Sequence, residues 1–368
     1  MIFFTSFRDH VSGFVVTHAP QVFIHSHVFF KIEVKLITKI NQYCILRTLI
    51  LAIMNKFRLY FILLCSVFIL FSCNRADELV PVPIRAFDVQ YEADLAIIED
   101  YLNTHYIEID ANQDVTISKT PGPTNRLMMS YLDSATYPKL LTKDVVANDI
   151  TYKIYYFKFA EDFADGVAPS KADEVLAAYN GTYLSYKTET VDNVSVTTLN
   201  ATQFEYTPFP TLFLRLDLAV RGWREILPLF KAGQKTEVEG EPTAYTDFGA
   251  GVIFIPSGLA YFNLAQQGIP SYSPLVFSFK LYDVKFSDQD GDGILSNDED
   301  INGDGDFTND DTDGDGIQNL YDIDDDGDSF LTKNEIKIDG VTPSSYSLIL
   351  DCSGGTTGLK KHLDPSCN

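Results

Sequence analysis

The chain has 368 residues, 45% of them hydrophobic, enough for one or two domains with a core able to carry an enzyme site. Its 20 tyrosines and 27 phenylalanines favour strands over helices. The net charge of −23 is concentrated in residues 288–339, where 19 acidic residues and two lysines give −17 and leave −6 for the rest, a balance that argues against a nucleic-acid partner.

Residues 1–53 are expected to be upstream sequence read through from a misplaced start, because Met54 opens a better one. Lys56 and Arg58 form a positive n-region, followed by uncharged residues from Leu59 to Phe71. Such a run spans about 20 Å as a helix, short of a bilayer core of about 30 Å, and suits a signal-peptide h-region. It ends at Leu70-Phe71-Ser72-Cys73, which resembles a bacterial lipobox, although Phe71 is bulkier than usual there. The resemblance implies cleavage before Cys73 and a lipid on its thiol; the alternatives are an ordinary signal peptide or a plain membrane anchor. Of the remaining cysteines, Cys44 and Cys65 leave with the leader. Cys352 and Cys367 are then expected to pair in an oxidising compartment.

Residues 88–106 read as a helix, with Leu95, Ile98, Tyr101 and Leu102 at helical spacing and Glu92, Asp94, Glu99 and Asp100 on the other faces. Residues 110–124, with Pro121, Gly122 and Pro123, read as a turn or short-strand region. Residues 150–159 have strand composition, and Asn180-Gly181 carries a hairpin signal within 172–186. Residues 209–220 lead into Gly222 and the lone tryptophan, Trp223. A short helical stretch follows, stopped by Gly233. Pro228 is tolerable in it only if the helix starts near Arg224. The alternation L-V-F-S-F-K-L-Y from Leu275 fits a sheet with one buried face.

Several of these stretches together resemble the core of an FKBP-type peptidyl-prolyl isomerase, over roughly residues 150–285. They are Tyr179 before Asn180-Gly181, Phe204-Glu205, Gly222-Trp223, the I-P-S-G-L-A-Y run ending at Tyr261, Ile269-Pro270 and Leu275-Val276-Phe277. The resemblance implies a pocket with Trp223 as floor and Tyr179, Phe204 and Phe277 as walls, completed by Val220 and Ile269. It also implies that the N–H of Val220 receives a substrate carbonyl and that Tyr261 donates a phenolic hydrogen bond. Phe209 or Phe213 supplies a further wall. Glu205 stands where the family has Asp, and Phe262 where it has a glycine after the tyrosine. No cofactor is needed for such chemistry.

Residues 288–299 place oxygen-bearing side chains at positions 1, 3, 5, 9 and 12 and glycine at 6, the spacing of an EF-hand loop for Ca²⁺. This loop offers Asp288, Asp290, Asp292 and Glu299; the next offers Asp300, Asn302, Asp304 and Asp311. A third offers Asp311, Asp313, Asp315, Asn319 and Asp322, and a fourth Asp324, Asp326, Asp328, Thr332 and Glu335. The loops start at 288, 300, 311 and 324, too close together for intervening helices, so the segment resembles thrombospondin type 3 repeats. A structural role for Ca²⁺ is expected; the alternative is a disordered acidic linker.

The expected fold class is α+β: an FKBP-like antiparallel sheet wrapped on a short helix, preceded by a helix and followed by acidic Ca²⁺-loop repeats. The expected divisions are a leader (1–53), a lipoprotein signal peptide (54–72), a tether and N-terminal helical region (73–145), an FKBP-like domain (146–286), acidic calcium-binding repeats (287–337) and a tail (338–368). The expected function is a lipid-anchored prolyl isomerase of the bacterial cell envelope, on the periplasmic or surface face of the outer membrane. Its partners would be proline-containing polypeptides and the membrane, with no nucleic acid. The alternative is a non-catalytic FKBP-like binding module on a calcium-stiffened stalk.

Overall fold

The computed structural model describes residues 83–367; the expected leader, the signal segment and Cys73 lie outside them. In chain order the elements are α1 (Phe87–Thr104), β1 (Tyr106–Ile109), β2 (Val115–Ser118), β3 (Lys139–Ala147), β4 (Ile150–Lys158), β5 (Glu174–Val191), β6 (Val194–Thr207) and β7 (Leu214–Arg215). Then come α2 (Arg221–Ile226), β8 (Gln234–Thr236), β9 (Ala244–Thr246), β10 (Gly249–Ile255), β11 (Leu275–Lys285) and α3 (Thr332–Glu335). Seven strands make one antiparallel sheet in the order β3-β4-β10-β11-β5-β6, with β7 on the edge of β5. The sheet begins at Lys139, so the division drawn at 146 cuts through β3.

The two-residue period of a strand assigns side chains to two cores. Tyr152, Ile154 and Tyr156 of β4, Ile253 and Ile255 of β10, and Phe277, Phe279 and Leu281 of β11 pack with Trp223, Ile226 and Leu227 of α2 and the turn after it. Tyr155, Phe157, Val252, Phe254 and Val276 point the other way and pack with Ile98, Tyr101 and Leu102 of α1 and with Met128 and Tyr131. Both faces of the central sheet are therefore buried, not one. Every residue of β10 is buried, because α1 and the segment after it cover the side expected to meet solvent. Among the described residues no helix is long and apolar enough to cross a membrane.

Two local expectations change. Asn180-Gly181 is not a turn: β5 runs through it, pairing Asn180 with Ser278 and Tyr206, and bulges between Gly181 and Thr182. The hairpin closes instead at Asp192-Asn193, both at positive φ (+50° and +63°), as a two-residue turn demands. And α2 begins at Arg221, before Arg224, and ends at Ile226. Pro228 therefore falls in the first turn of a following 3-10 helix (Leu227–Leu229), where its missing N–H costs no hydrogen bond.

The acidic segment has no strand and no long helix. Its loops repeat one device, in which the first Asp of each accepts the N–H of the residue five further on. The pairs are Asp288–Gly293 (3.2 Å), Asp300–Gly305 (2.7 Å), Asp311–Gly316 (3.0 Å) and Asp324–Ser329 (3.1 Å). That fifth residue is left-handed each time, at φ +102°, +72° and +96° for the glycines and +80° for Ser329. Ile294, Ile336 and Ile349 form a small core under the segment, and Cys352 is bonded to Cys367 in the tail.

Candidate functional site: an aromatic cleft and an acidic loop cluster

The cleft forms where α2 crosses the sheet between β5 and β11. Trp223 is held in place because Gly222, the residue before it, lies against Ile255: a Cβ there would come within 2.5 Å of that side chain. Tyr179 and Phe277 meet the indole edge-on at centroid separations of 5.3 and 5.2 Å, and Phe204 meets Phe277 edge-on at 5.6 Å. These are favourable geometries for ring quadrupoles. Only 4% of Trp223 is exposed, and its buried Nε1 has no hydrogen-bond partner among the described residues. The resulting open cavity, about 450 Å³, is lined by Tyr179, Phe204, Glu205, Phe213, Leu214, Arg215, Leu218, Ala219, Val220, Trp223, Tyr261 and Phe277.

Seven of the eight residues the resemblance implicates thus line one cavity. Ile269 does not: it is buried in the core beside the cleft, and Arg215 and Leu218 occupy the rim instead. Phe213 lines the cavity, whereas Phe209 is 87% exposed and lies on a neighbouring groove. The longer Glu205 still reaches its partner, accepting the Tyr179 hydroxyl at 2.7 Å. Burial and that carboxylate push the Tyr179 phenol up to about 12, so it stays a donor at any physiological pH. Burial and the Glu205 charge also raise the Tyr261 phenol. Val220 caps α2 in an extended conformation, its carbonyl accepting from Trp223 at 2.9 Å. The helix sits on a buried anchor: Glu225 pairs with Lys143 (3.2 Å) and Lys171 (3.1 Å). Burial works to raise its carboxyl, but the two lysines overcome this and hold it below the ordinary range.

Phe262, in place of the family's glycine, adopts φ +49°, a strained conformation for a bulky residue. Its ring stacks on Phe87 at the start of α1 (4.1 Å), its N–H bonds Ser257 O (2.8 Å) and its carbonyl accepts from Tyr272 (2.6 Å). The same helix supplies Asp94, which helical spacing alone puts on a polar face. It is 1% exposed and accepts the Ser257 N–H (2.7 Å), the Ser257 hydroxyl (2.6 Å) and the Gln90 amide (2.6 Å). Burial, only partly offset by these donors, pushes its carboxyl up to about 6. Thus α1 fixes the turn that presents Tyr261 to the cleft.

The acidic segment docks on the same domain. Tyr321 donates to Asp217 (2.6 Å), the carboxylate that also accepts from Arg215 at the cleft rim (3.1 Å), and Asp173 accepts the Ser287 N–H (3.1 Å). Within it, carboxylate oxygens of Asp288, Asp290 and Asp292 approach one another within 4.8 Å, as do those of Asp311, Asp313 and Asp315 and of Asp324, Asp326 and Asp328. Burial and neighbouring carboxylates push Asp290 up to about 7 and Glu335 to about 8. Asp322 is raised by burial and the charges of Asp315 and Asp313. In the second loop the Asp304 N–H bonds the Asn302 side-chain oxygen at 2.8 Å and Asp310 accepts the Asn302 amide at 3.3 Å, while an oxygen of Asp311 lies within 4.8 Å of Asp313 and Asp315. Asp310, which has one buried unpartnered oxygen, stands one residue before the position that spacing assigns to the last ligand of this loop. The orphaned oxygens of Asp290, Asp310, Asp324, Asp326, Asp328 and Glu335 are buried, and an all-oxygen set of this kind fits a hard divalent cation.

Residues 289–358 match a family model described as BamM C-terminal. No curated protein matches the chain. Among solved structures it is similar to a peptidyl-prolyl cis-trans isomerase from Pseudomonas syringae pv. tomato (16% identity, 55% of this chain and 99% of that one, TM-score 0.30). It is also similar to FkpA from Escherichia coli (26% identity, 39% of this chain and 51% of that one, TM-score 0.25).

Proposed function

We propose that this protein is a peptidyl-prolyl cis-trans isomerase of the FKBP type that assists exported polypeptides. Rotation about an X-Pro bond faces a barrier of about 20 kcal/mol from amide resonance, and it breaks no bond. A catalyst needs neither nucleophile nor metal; it needs a site that holds the twisted, less polar amide better than the planar one. The observation that carries the reading is the ring enclosure: Tyr179 and Phe277 stand edge-on over Trp223, with the Tyr179–Glu205 pair closing one side. An apolar floor of this shape accepts a pyrrolidine ring. The extended Val220 N-cap and the Tyr261 phenol supply donors for the flanking carbonyls.

The test is turnover of a prolyl peptide by the mature chain. Replacing the floor in Trp223→Ala removes roughly 1.5–3 kcal/mol of apolar contact, so kcat/KM should fall about 10- to 100-fold. The displacement of Ile269 from the cleft favours a second reading, a binding module without catalysis. Peptide binding by the wild type without turnover would select it.

Two further parts belong to the proposal. The acidic loops hold structural Ca²⁺ through Asp288, Asp290 and Asp292, through Asp311, Asp313 and Asp315, and through Asp324, Asp326 and Asp328, supported by the orphaned oxygens described above. Cys73 carries a lipid that ties the protein to the bacterial envelope, supported by the uncharged run and the Leu-Phe-Ser-Cys stretch before it.

A further inference from the structure

The geometry points to a divalent-cation site shared between the first and the last acidic loop, built from Asp292, Glu299 and Asp325. Oxygens of these three side chains lie within 4.8 Å of one another, although Asp325 is far along the chain and is not at a ligand position of its own loop. All three are buried, at 2%, 2% and 1% exposure. Both carboxylate oxygens of Glu299 are buried without a hydrogen-bond partner, and so are one oxygen of Asp292 and one of Asp325. The other oxygen of Asp325 accepts the Thr332 hydroxyl at 3.2 Å, which fixes the side chain and leaves Oδ1 as its unpartnered oxygen. Among the described residues no lysine, arginine or histidine forms an ion pair with any of them.

Three anions brought together out of water repel each other and lose their hydration, so the arrangement needs a counter-charge of comparable density. The oxygen-only donor set selects a hard cation, and its irregular, cross-loop geometry suits Ca²⁺ better than Mg²⁺, which demands a near-octahedral shell. The apolar contact joining these loops is small, amounting to Ile294, Ile336 and Ile349 with Tyr346 beside them. The shared ion is therefore the main tie between residues 288–299 and 324–335, and it makes the four loops order as one unit instead of singly. The inference rests on the reading of the loops as Ca²⁺ loops and adds a ligand that no single loop supplies.

The test measures Ca²⁺ binding to the full mature chain by calorimetry, comparing wild type with Asp325→Asn and Glu299→Gln, and follows protease resistance in chelator. The expected result is that Asp325→Asn binds one ion fewer, or binds it at least tenfold more weakly. In chelator the same variant should resist protease better than wild type, because one of three repelling charges is gone. A residue with only a structural role would not produce that reversal. Glu299→Gln should repeat both changes. Wild-type stoichiometry and affinity in Asp325→Asn, with unchanged behaviour in chelator, would overturn the shared site while leaving the single-loop sites intact. A wild type that binds no Ca²⁺ would overturn both.

Discussion

Gly181 decides whether the cleft has room for its rings. A Cβ at this position would sit 2.6 Å from Phe204 and 2.8 Å from Phe277, closer than real contacts allow. Its φ is not left-handed, so alanine is tolerable to the backbone and the clash is purely with the two walls. Gly181→Ala should cost about 1–3 kcal/mol of stability by overpacking and should lower prolyl-peptide turnover more than the melting shift accounts for. Thermal melting beside kinetics separates the two effects, and unchanged turnover would remove Phe204 and Phe277 from the site. At this scale the sequence was legible as to which side chains come together: Tyr179, Trp223, Tyr261 and Phe277 all line the cavity. It was not legible at Phe262, whose left-handed backbone is held by the ring of Phe87, far earlier in the chain. No local pattern encodes that compensation.

Among the elements, α1 is part of the frame around the cleft. Its buried Asp94 holds the Ser257 turn, and its carboxyl, raised to about 6, makes the contact depend on pH. The folded state binds this proton more tightly than the unfolded chain does. The corresponding stability is therefore fully present below the ordinary Asp value and is lost as pH rises through about 6. A rise of this size in a carboxyl's pKa corresponds to about 3 kcal/mol. Asp94→Asn should flatten the stability profile between pH 4 and 6, measured by denaturant titration in Ca²⁺ buffer; an unchanged difference between variant and wild type across that range would count against a raised carboxyl. The strands themselves were legible from composition and alternation, because a two-residue period survives in any strand. The Asn-Gly turn signal misled because hydrogen bonds on both sides of Asn180 and Gly181, to β11 and β6, outweigh a dipeptide's preference. The second buried face was hidden for a similar reason: whether a helix docks on a sheet depends on residues outside the strand pattern.

The whole molecule joins the ring-lined domain to the acidic segment through Asp173, Asp217 and Tyr321. With Ca²⁺ chelated, the unpartnered carboxylates repel one another, and protease cutting within residues 288–335 should rise at least tenfold while cutting within the sheet changes little. Equal cutting with and without chelator would return the segment to an acidic linker. The loops were legible because Asp and Gly recur at fixed offsets. The cross-connection at Asp325 was not, since a linear spacing cannot show which loops touch.

Strand order has a consequence for how the chain reaches this state. The two strands at the middle of the sheet, β10 and β11, are the last of the seven to be synthesised. Until Lys285 has emerged, β4, with Tyr155 and Phe157, is paired on one side only, by β3, and the long β5–β6 hairpin lacks the β11 strand that joins it to the rest of the sheet. A nascent chain must therefore keep sticky edges apart through most of the domain's synthesis, the situation in which distant pairing makes folding slow and self-association a hazard. A protein proposed to help other chains fold carries the same vulnerability in its own assembly.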